Sequence, residues 1–187
     1  MKHFREFPTL ETERLILRAP EAGDLNAYMA FYTNAEASQW YGGPLRPDQV
    51  WRQLAESIGH WHLKGFGMWV LVRRDDGQVV GGTGLAHPEG WPRHELTWWL
   101  LPEARGAGLA QEASIAIMSF AMNSLGWPSV ETHIRDGNLP AHRLAARLGG
   151  EKIAREVFPD GHERDVYRLA PTNAMPFGAA PESEESA

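Results

Sequence analysis

Residues 105–110, Arg105-Gly106-Ala107-Gly108-Leu109-Ala110, are the stretch of this chain best suited to chemistry. Two closely spaced glycines let the backbone curl with its N–H groups turned inward, where no Cβ blocks a ligand. The apolar run that follows reads as a helix. Its first turn adds free N–H donors and the positive end of the helix dipole. Such a turn suits a phosphate or pyrophosphate. The same residues would serve equally as an ordinary glycine-capped turn, and a lone Gly-x-Gly does not decide between the two. Just upstream, Glu95 opens a Trp-rich segment, Glu95 to Leu101. Strand alternation places Glu95, Thr97 and Trp99 on one face and Leu96, Trp98 and Leu100 on the other. Glu95 is either an acid–base group or a strand-end carboxylate paired with Arg93 or another cation. Eight histidines raise the question of a metal. No His-Glu-x-x-His pattern or tight cluster is present, and His60 and His62 diverge on a helix, so no metal is expected.

The elements around these residues are legible from periodicity and turn chemistry. Arg14 to Arg18 reads as a strand, and Asp24 as the N-cap of a helix carrying Leu25, Tyr28, Met29 and Tyr32. A loop, Ala37 to Leu45, precedes a helix that starts at Pro47 and buries Val50, Leu54, Ile58 and Trp61. Gly67 to Arg73 and Gln78 to Leu85 read as a hairpin turned by Asp75-Asp76-Gly77. The glycines of the second strand imply a bulge or close backbone approach. After the Trp-rich strand and glycine turn comes a helix from Leu109 to Leu125, apolar on two sides, with Glu112, Ser119 and Asn123 on its polar face. Ser129 to Arg135 alternates as a strand. Asp136-Gly137-Asn138 turns into a short helix closed by Gly149. Lys152 to Val157 and Glu163 to Leu169 form a last hairpin. Strands and helices interleave without strict alternation, which implies an α/β (mixed α+β) fold, a mixed sheet with helices on both faces.

Composition narrows the function. At 187 residues, 43% hydrophobic and 22% charged, residues 1–170 are expected to form one domain. The Pro-, Ala-, Ser- and Glu-rich tail, 171–187, is expected to be disordered. A net charge of −6 offers no basic field for nucleic acid. With no cysteine, disulfides, thiolate metal sites and a Cys nucleophile are excluded. No signal peptide is evident and no run approaches the roughly 20 apolar residues of a membrane span, so a cytoplasmic protein without a membrane partner is expected.

Arg105, Gly108 and Ala110 fit the pattern Gln/Arg-x-x-Gly-x-Gly/Ala directly after a strand that ends in hydrophobic-Pro-Glu. This resembles the coenzyme A loop of the GNAT superfamily of acyl-CoA-dependent N-acyltransferases. The longer string ELTWWLLPEARGAGLAQEA is similar to the ribosomal-protein N-terminal acetyltransferase branch. The resemblance runs from about Thr12 to Leu169, is specific at the loop and weak toward the N-terminus. It implies a mostly antiparallel central sheet splayed between the fourth and fifth strands.

The resemblance further implies acetyl-CoA as co-substrate and direct transfer of its acetyl group to a primary amine: a protein N-terminus, an amino acid derivative or a small amine. Backbone amides of Arg105, Gly106, Ala107, Gly108, Leu109 and Ala110 would hold the pyrophosphate. Trp99 and Leu100 would bond the pantetheine amides in strand fashion. Asn138 matches an Asn that commonly contacts the pantetheine arm, although an Asn in Asp-Gly-Asn also fits simple turn chemistry. Glu95, where this branch usually carries Glu, would be the general base. Trp40 and Tyr41 are the expected acceptor-binding residues, with His87 and Trp91 as further candidates. Two departures stand out. A Tyr that often protonates the leaving thiolate is replaced by Ala145, and a Ser often found in the ribosomal-protein branch by Ala141. They leave open a CoA-binding sensor or scaffold with weak or lost catalysis. Acceptor identity, acyl length, and monomer against homodimer are not fixed by the sequence.

Overall fold

The computed structural model describes residues 7–169, so the tail beyond Pro171 lies outside the described residues. Eight strands and five helices follow one another as β1 (Leu10–Glu11), β2 (Leu15–Arg18), α1 (Leu25–Tyr32), α2 (Ala35–Ser38), α3 (Pro47–Lys64), β3 (Met68–Arg73), β4 (Val79–Ala86), β5 (Glu95–Leu100), α4 (Leu109–Asn123), β6 (Val130–Ile134), α5 (Leu139–Arg147), β7 (Gly150–Val157) and β8 (Glu163–Leu169). Strands β1 to β5 pair in sequence order and antiparallel throughout; β6, β8 and β7 form a second antiparallel sheet. β6 lies beside β5 yet shares no ladder with it. The sheet is therefore split between β5 and β6, the fourth and fifth of the strands expected from sequence.

Period-2 alternation builds a core on each face of the larger sheet. Trp69, Leu71, Leu85 and Leu96 face α4, where they meet Leu109, Ala113, Ile117 and Phe120. Val70 and Trp99 point the other way, toward Tyr28, Phe31 and Tyr32 of α1 and Val50 and Leu54 of α3. Burying one such Leu or Phe contributes roughly 1.5–3 kcal/mol. The two apolar stripes read on α4 fall into one core, because β-sheet lies beneath the helix and α5 against its flank.

Local chemistry corrects two expectations. Asp24 holds the N-cap position of α1, but its side chain makes no hydrogen bond to that helix. It is buried and held by the Arg18 guanidinium, at 2.6 and 2.8 Å, while also accepting the Glu21 N–H at 2.8 Å. A nearby cation outcompeted the weaker capping bond. A single turn, α2, capped by Asn34 accepting from the Glu36 and Ala37 N–H groups, runs into the segment read as loop at Ala37 and Ser38. Trp51 stands 59% exposed on α3, whereas Trp61 and Trp69 are buried.

Candidate active site

The glycine loop sits where β5, after a short 3-10 turn at Pro102–Ala104, feeds α4. Gly106 and Gly108 both adopt φ 81°, the left-handed region that L side chains enter only at a cost. Gly108 is the N-cap of α4 and provides no side-chain cap, so the first-turn amides are left for another acceptor. Arg14, from the start of β2, holds this loop from outside the cleft. Its guanidinium donates to the Ala107 carbonyl at 2.8 Å and to Glu112 at 2.6 Å. Glu112 also accepts from the Arg14 backbone N–H and from Thr12 Oγ1. A carboxylate read as part of a solvated helix face is thus the tie between loop, helix and sheet edge.

Burial alone would push the Glu112 carboxyl up, but the hydrogen bonds from Thr12 and Arg14 and the Arg14 charge outweigh it and hold it below the usual Glu value. Because the folded value lies below the unfolded one, this stabilisation is complete above the ordinary Glu range and is lost as pH falls through the folded value. Glu112→Gln should therefore cost about 1–2 kcal/mol at neutral pH. It should also flatten the fall in stability between about pH 5 and pH 3, as read from denaturant midpoints.

Strand β5 offers the second part of the site. Leu101 donates to Val80 O at 3.0 Å, which fixes the phase of the β4–β5 ladder. In that phase Trp99, Thr97 and Glu95 turn their backbone groups to β4, while Leu96, Trp98 and Leu100 turn theirs into the gap beside β6. The free strand edge is therefore carried by Trp98 and Leu100. Trp99, expected to bond pantetheine through its backbone, has that backbone turned to β4 instead. Trp99 is buried and packs its ring against Tyr28, Phe31 and Tyr32. The Leu100 carbonyl accepts from Arg105 Nε at 3.2 Å, and the other end of that guanidinium reaches the Ala37 carbonyl at 3.2 Å.

Around this edge lies a cleft of about 240 Å³, lined in part by Arg105, Gly106, Ala110, Leu100, Asn138 and Arg147. Ala107, Gly108 and Leu109 do not line it: Ala107 O faces Arg14, a Cβ on Gly108 would lie 3.6 Å from Arg14, and Leu109 is in the core. A second cavity of about 190 Å³ shares Trp40, Tyr41, Trp98, Asn138 and Ala141 with the first and holds Glu95, Thr97 and His133 at its other end. Tyr41 also lines a third cavity, of about 170 Å³, against α3. Burial pushes the Tyr41 phenol well up, helped by the Glu95 charge, so its O–H remains a neutral donor. Trp40 reaches across to the β6–α5 turn, where its ring fills the space a side chain at Gly137 would need: a Cβ there would lie 2.6 Å from the ring.

Glu95 is not paired with Arg93, which instead binds Glu156 at 2.7 Å and Glu131 at 3.2 Å. Among the described residues, the ion-pair partner of the Glu95 carboxylate is His133 Nδ1, 3.6 Å away. Asn138 does act as turn chemistry, since its Oδ1 caps α5 by accepting from Ala141 N–H at 3.3 Å. It also lines both connected cavities. His142 is tied to Tyr167 and the Arg135 carbonyl. His87 bonds the Trp91 carbonyl, and Trp91 packs on Phe158; neither lines these cavities. Of the two alanines at the missing acid positions, Ala141 faces both cavities and Ala145 is buried. Sequence reading gave His133 no role. Its signal was its place on the face of β6 opposite Val130, Thr132 and Ile134, where it follows Glu131 with strand spacing.

Residues 14–151 match the acetyltransferase (GNAT) domain. The chain belongs to the GNAT superfamily. It is 28% identical over 171 residues to the uncharacterized N-acetyltransferase YoaA of Bacillus subtilis (strain 168), covering 87% of this chain and 97% of that protein. The acetyltransferase from Agrobacterium tumefaciens str. C58 is 29% identical in sequence, with a TM-score of 0.81 over 91% of this chain and 98% of that one. The ribosomal L7/L12 alpha-N-protein acetyltransferase RimL, in a complex with coenzyme A, shares the GNAT fold at 15% identity, with a TM-score of 0.70 over 86% of this chain and 97% of that one. Among the described residues of this GNAT chain, no group of three or more acidic or histidine side chains is disposed to hold a metal, and no helix is long and apolar enough to cross a membrane.

Proposed function

We propose that this GNAT chain is an N-acetyltransferase that moves an acetyl group from acetyl-CoA to a primary amine, either a protein N-terminus, an amino acid derivative or a small amine, by direct attack. One observation carries the reading. Among the described residues no arginine or lysine pairs with the Glu95 carboxylate, which lines a cavity that shares Trp40, Tyr41, Trp98, Asn138 and Ala141 with the glycine-loop cleft. The residues fit acetyl-CoA: Gly106 leaves open space beside a left-handed backbone, Arg105 and Arg147 bring positive charge, and Trp98 and Leu100 lie on a strand edge that no ladder covers, the Leu100 carbonyl being held by Arg105. When bound, acetyl-CoA supplies the activated acetyl group and a thiolate leaving group.

The chain's own groups divide the remaining work. Glu95 accepts the proton that the amine must lose. Trp40 and Tyr41 wall the acceptor side, where aromatic faces favour a cationic amine before it is deprotonated. The neutral Tyr41 O–H is a hydrogen-bond donor whose acidity is lowered by burial. The methyl group of Ala141 offers no acid. That absence supports a second reading, a CoA-binding sensor or scaffold in which transfer is slow or lost.

Calorimetric titration with acetyl-CoA, followed by thiol release over a panel of amines and short N-terminal peptides, separates the readings. Binding with release on some acceptor is the expected result. Binding without release on any acceptor favours the sensor, and no binding overturns both.

A further inference from the structure

The side chain of His133 exposes 0% of its surface, and neither ring nitrogen has a hydrogen-bond partner among the described residues. Buried polar atoms in folded proteins are nearly always paired, so an imidazole with both nitrogens idle asks for an explanation. Its surroundings offer one. Nδ1 lies 3.6 Å from Glu95 Oε2, and Nε2 lies 3.8 Å from Glu131 Oε2. The ring rests against Phe158, with centroids 4.7 Å apart. Both separations exceed a hydrogen bond by about half an ångström. A small rotation of either carboxylate closes them, as happens when active sites tighten around substrate. Glu95 shares the cavity with His133, and Glu131 is itself held by Arg93.

We propose that His133 is a positioning residue for Glu95 that stores the proton Glu95 removes from the acceptor amine; this rests on the N-acetyltransferase reading above. The proton leaving the amine nitrogen forms an O–H bond on Glu95. That bond breaks as an N–H bond forms at Nδ1, leaving Glu95 a carboxylate and His133 an imidazolium between two carboxylates. After product leaves, the proton returns through Glu95 to solvent. No electrons change hands. The charges around the ring come from every neighbouring element: Glu95 and His94 at the start of β5, Glu131 on β6, Arg93 bridging Glu131 and Glu156 of β7, and Arg164 of β8 on the same cavity. Arg164 is itself bound to Asp160.

The first test needs no acceptor. Nitrogen-15 NMR of histidine-labelled protein compares the His133 ring at one pH in wild type, Glu95→Gln and Glu131→Gln. The Nδ1 signal should move in Glu95→Gln and the Nε2 signal in Glu131→Gln, because each substitution removes the carboxylate that faces that nitrogen. An unchanged Nδ1 signal in Glu95→Gln overturns the proposal. The second test is kinetic. His133→Gln should lower kcat about tenfold or more, with KM for acetyl-CoA within about twofold. His133→Ala should regain activity with added azoles in proportion to their basicity, imidazole well above pyrazole. Equal rescue by both would show cavity filling and overturn the storage role, as would wild-type kcat in His133→Gln. A wild type that turns over no amine removes the proposed function instead, and the NMR comparison then decides alone whether His133 and Glu95 are coupled.

Discussion

Replacing Glu95 by glutamine should lower kcat by about 10²-fold or more while acetyl-CoA binds as it does to the wild type. The two halves of this expectation follow from where Glu95 sits. It lines the cavity that holds Thr97 and His133, and it does not line the cleft of Arg105, Gly106 and Ala110. Coenzyme affinity should therefore be insensitive to its charge. Glutamine keeps the volume and one acceptor oxygen but cannot accept a proton near neutral pH, so the loss falls on the chemical step. The fold should be little affected, because among the described residues no arginine or lysine pairs with this carboxylate. A Glu whose role was to pair with Arg93 would behave in the opposite way, costing stability and sparing kcat. Steady-state kinetics on an accepted amine, with calorimetry for acetyl-CoA, checks both halves. Wild-type kcat in Glu95→Gln across the pH range would remove Glu95 from the mechanism.

The parts of this molecule that could be read from its sequence are those set by local periodicity and backbone stereochemistry. The hairpin at Asp75-Asp76-Gly77 has its glycine at φ 69°, and the helix before Gly149 ends with that glycine at φ 72°. Both are positions where L side chains are penalised, and that penalty is written in the residue type. The strand from Glu95 and the helix from Leu109 appear where alternation and helical spacing place them. What escaped the sequence was the choice of long-range partner. Asp24 could cap a helix or bind a cation, and only the fold brings Arg18 to it. Glu112 belongs to a polar helix face until the edge of the sheet delivers Arg14 and Thr12. The phase of the β4–β5 ladder, which turns Trp98 rather than Trp99 to the gap, depends on pairing across a turn and not on alternation within β5 alone. His133 escaped for the same reason. Its meaning lies in the approach of Glu95 from another sheet, across the one seam where no hydrogen-bond ladder fixes a register.

Placing a glutamate at Gly106 should weaken acetyl-CoA binding about 30- to 100-fold, well beyond the effect of an alanine there. Gly106 lines the cleft with φ 81°, and a Cβ added to it would meet nothing within 4 Å. Both substitutions therefore pay the same left-handed backbone cost, roughly 1–2 kcal/mol, and neither creates a clash. They differ in charge. Two unit charges about 4 Å apart near a protein surface repel by about 4 kcal/mol at an effective dielectric of about 20, and solvent in an open cleft leaves roughly half of that. The difference between the glutamate and alanine variants isolates the repulsion of a phosphate from the cost of the backbone. It should shrink as salt is raised, because added ions screen an exposed pair. Gly108 would be a poorer site for this test, since its Cβ would point toward the Arg14 guanidinium, where a new carboxylate could pair instead. Calorimetry at two salt concentrations on folded Gly106→Glu and Gly106→Ala decides the matter. Equal affinities for the two variants would mean that no phosphate lies beside Gly106, and the loop would then be a helix cap and nothing more.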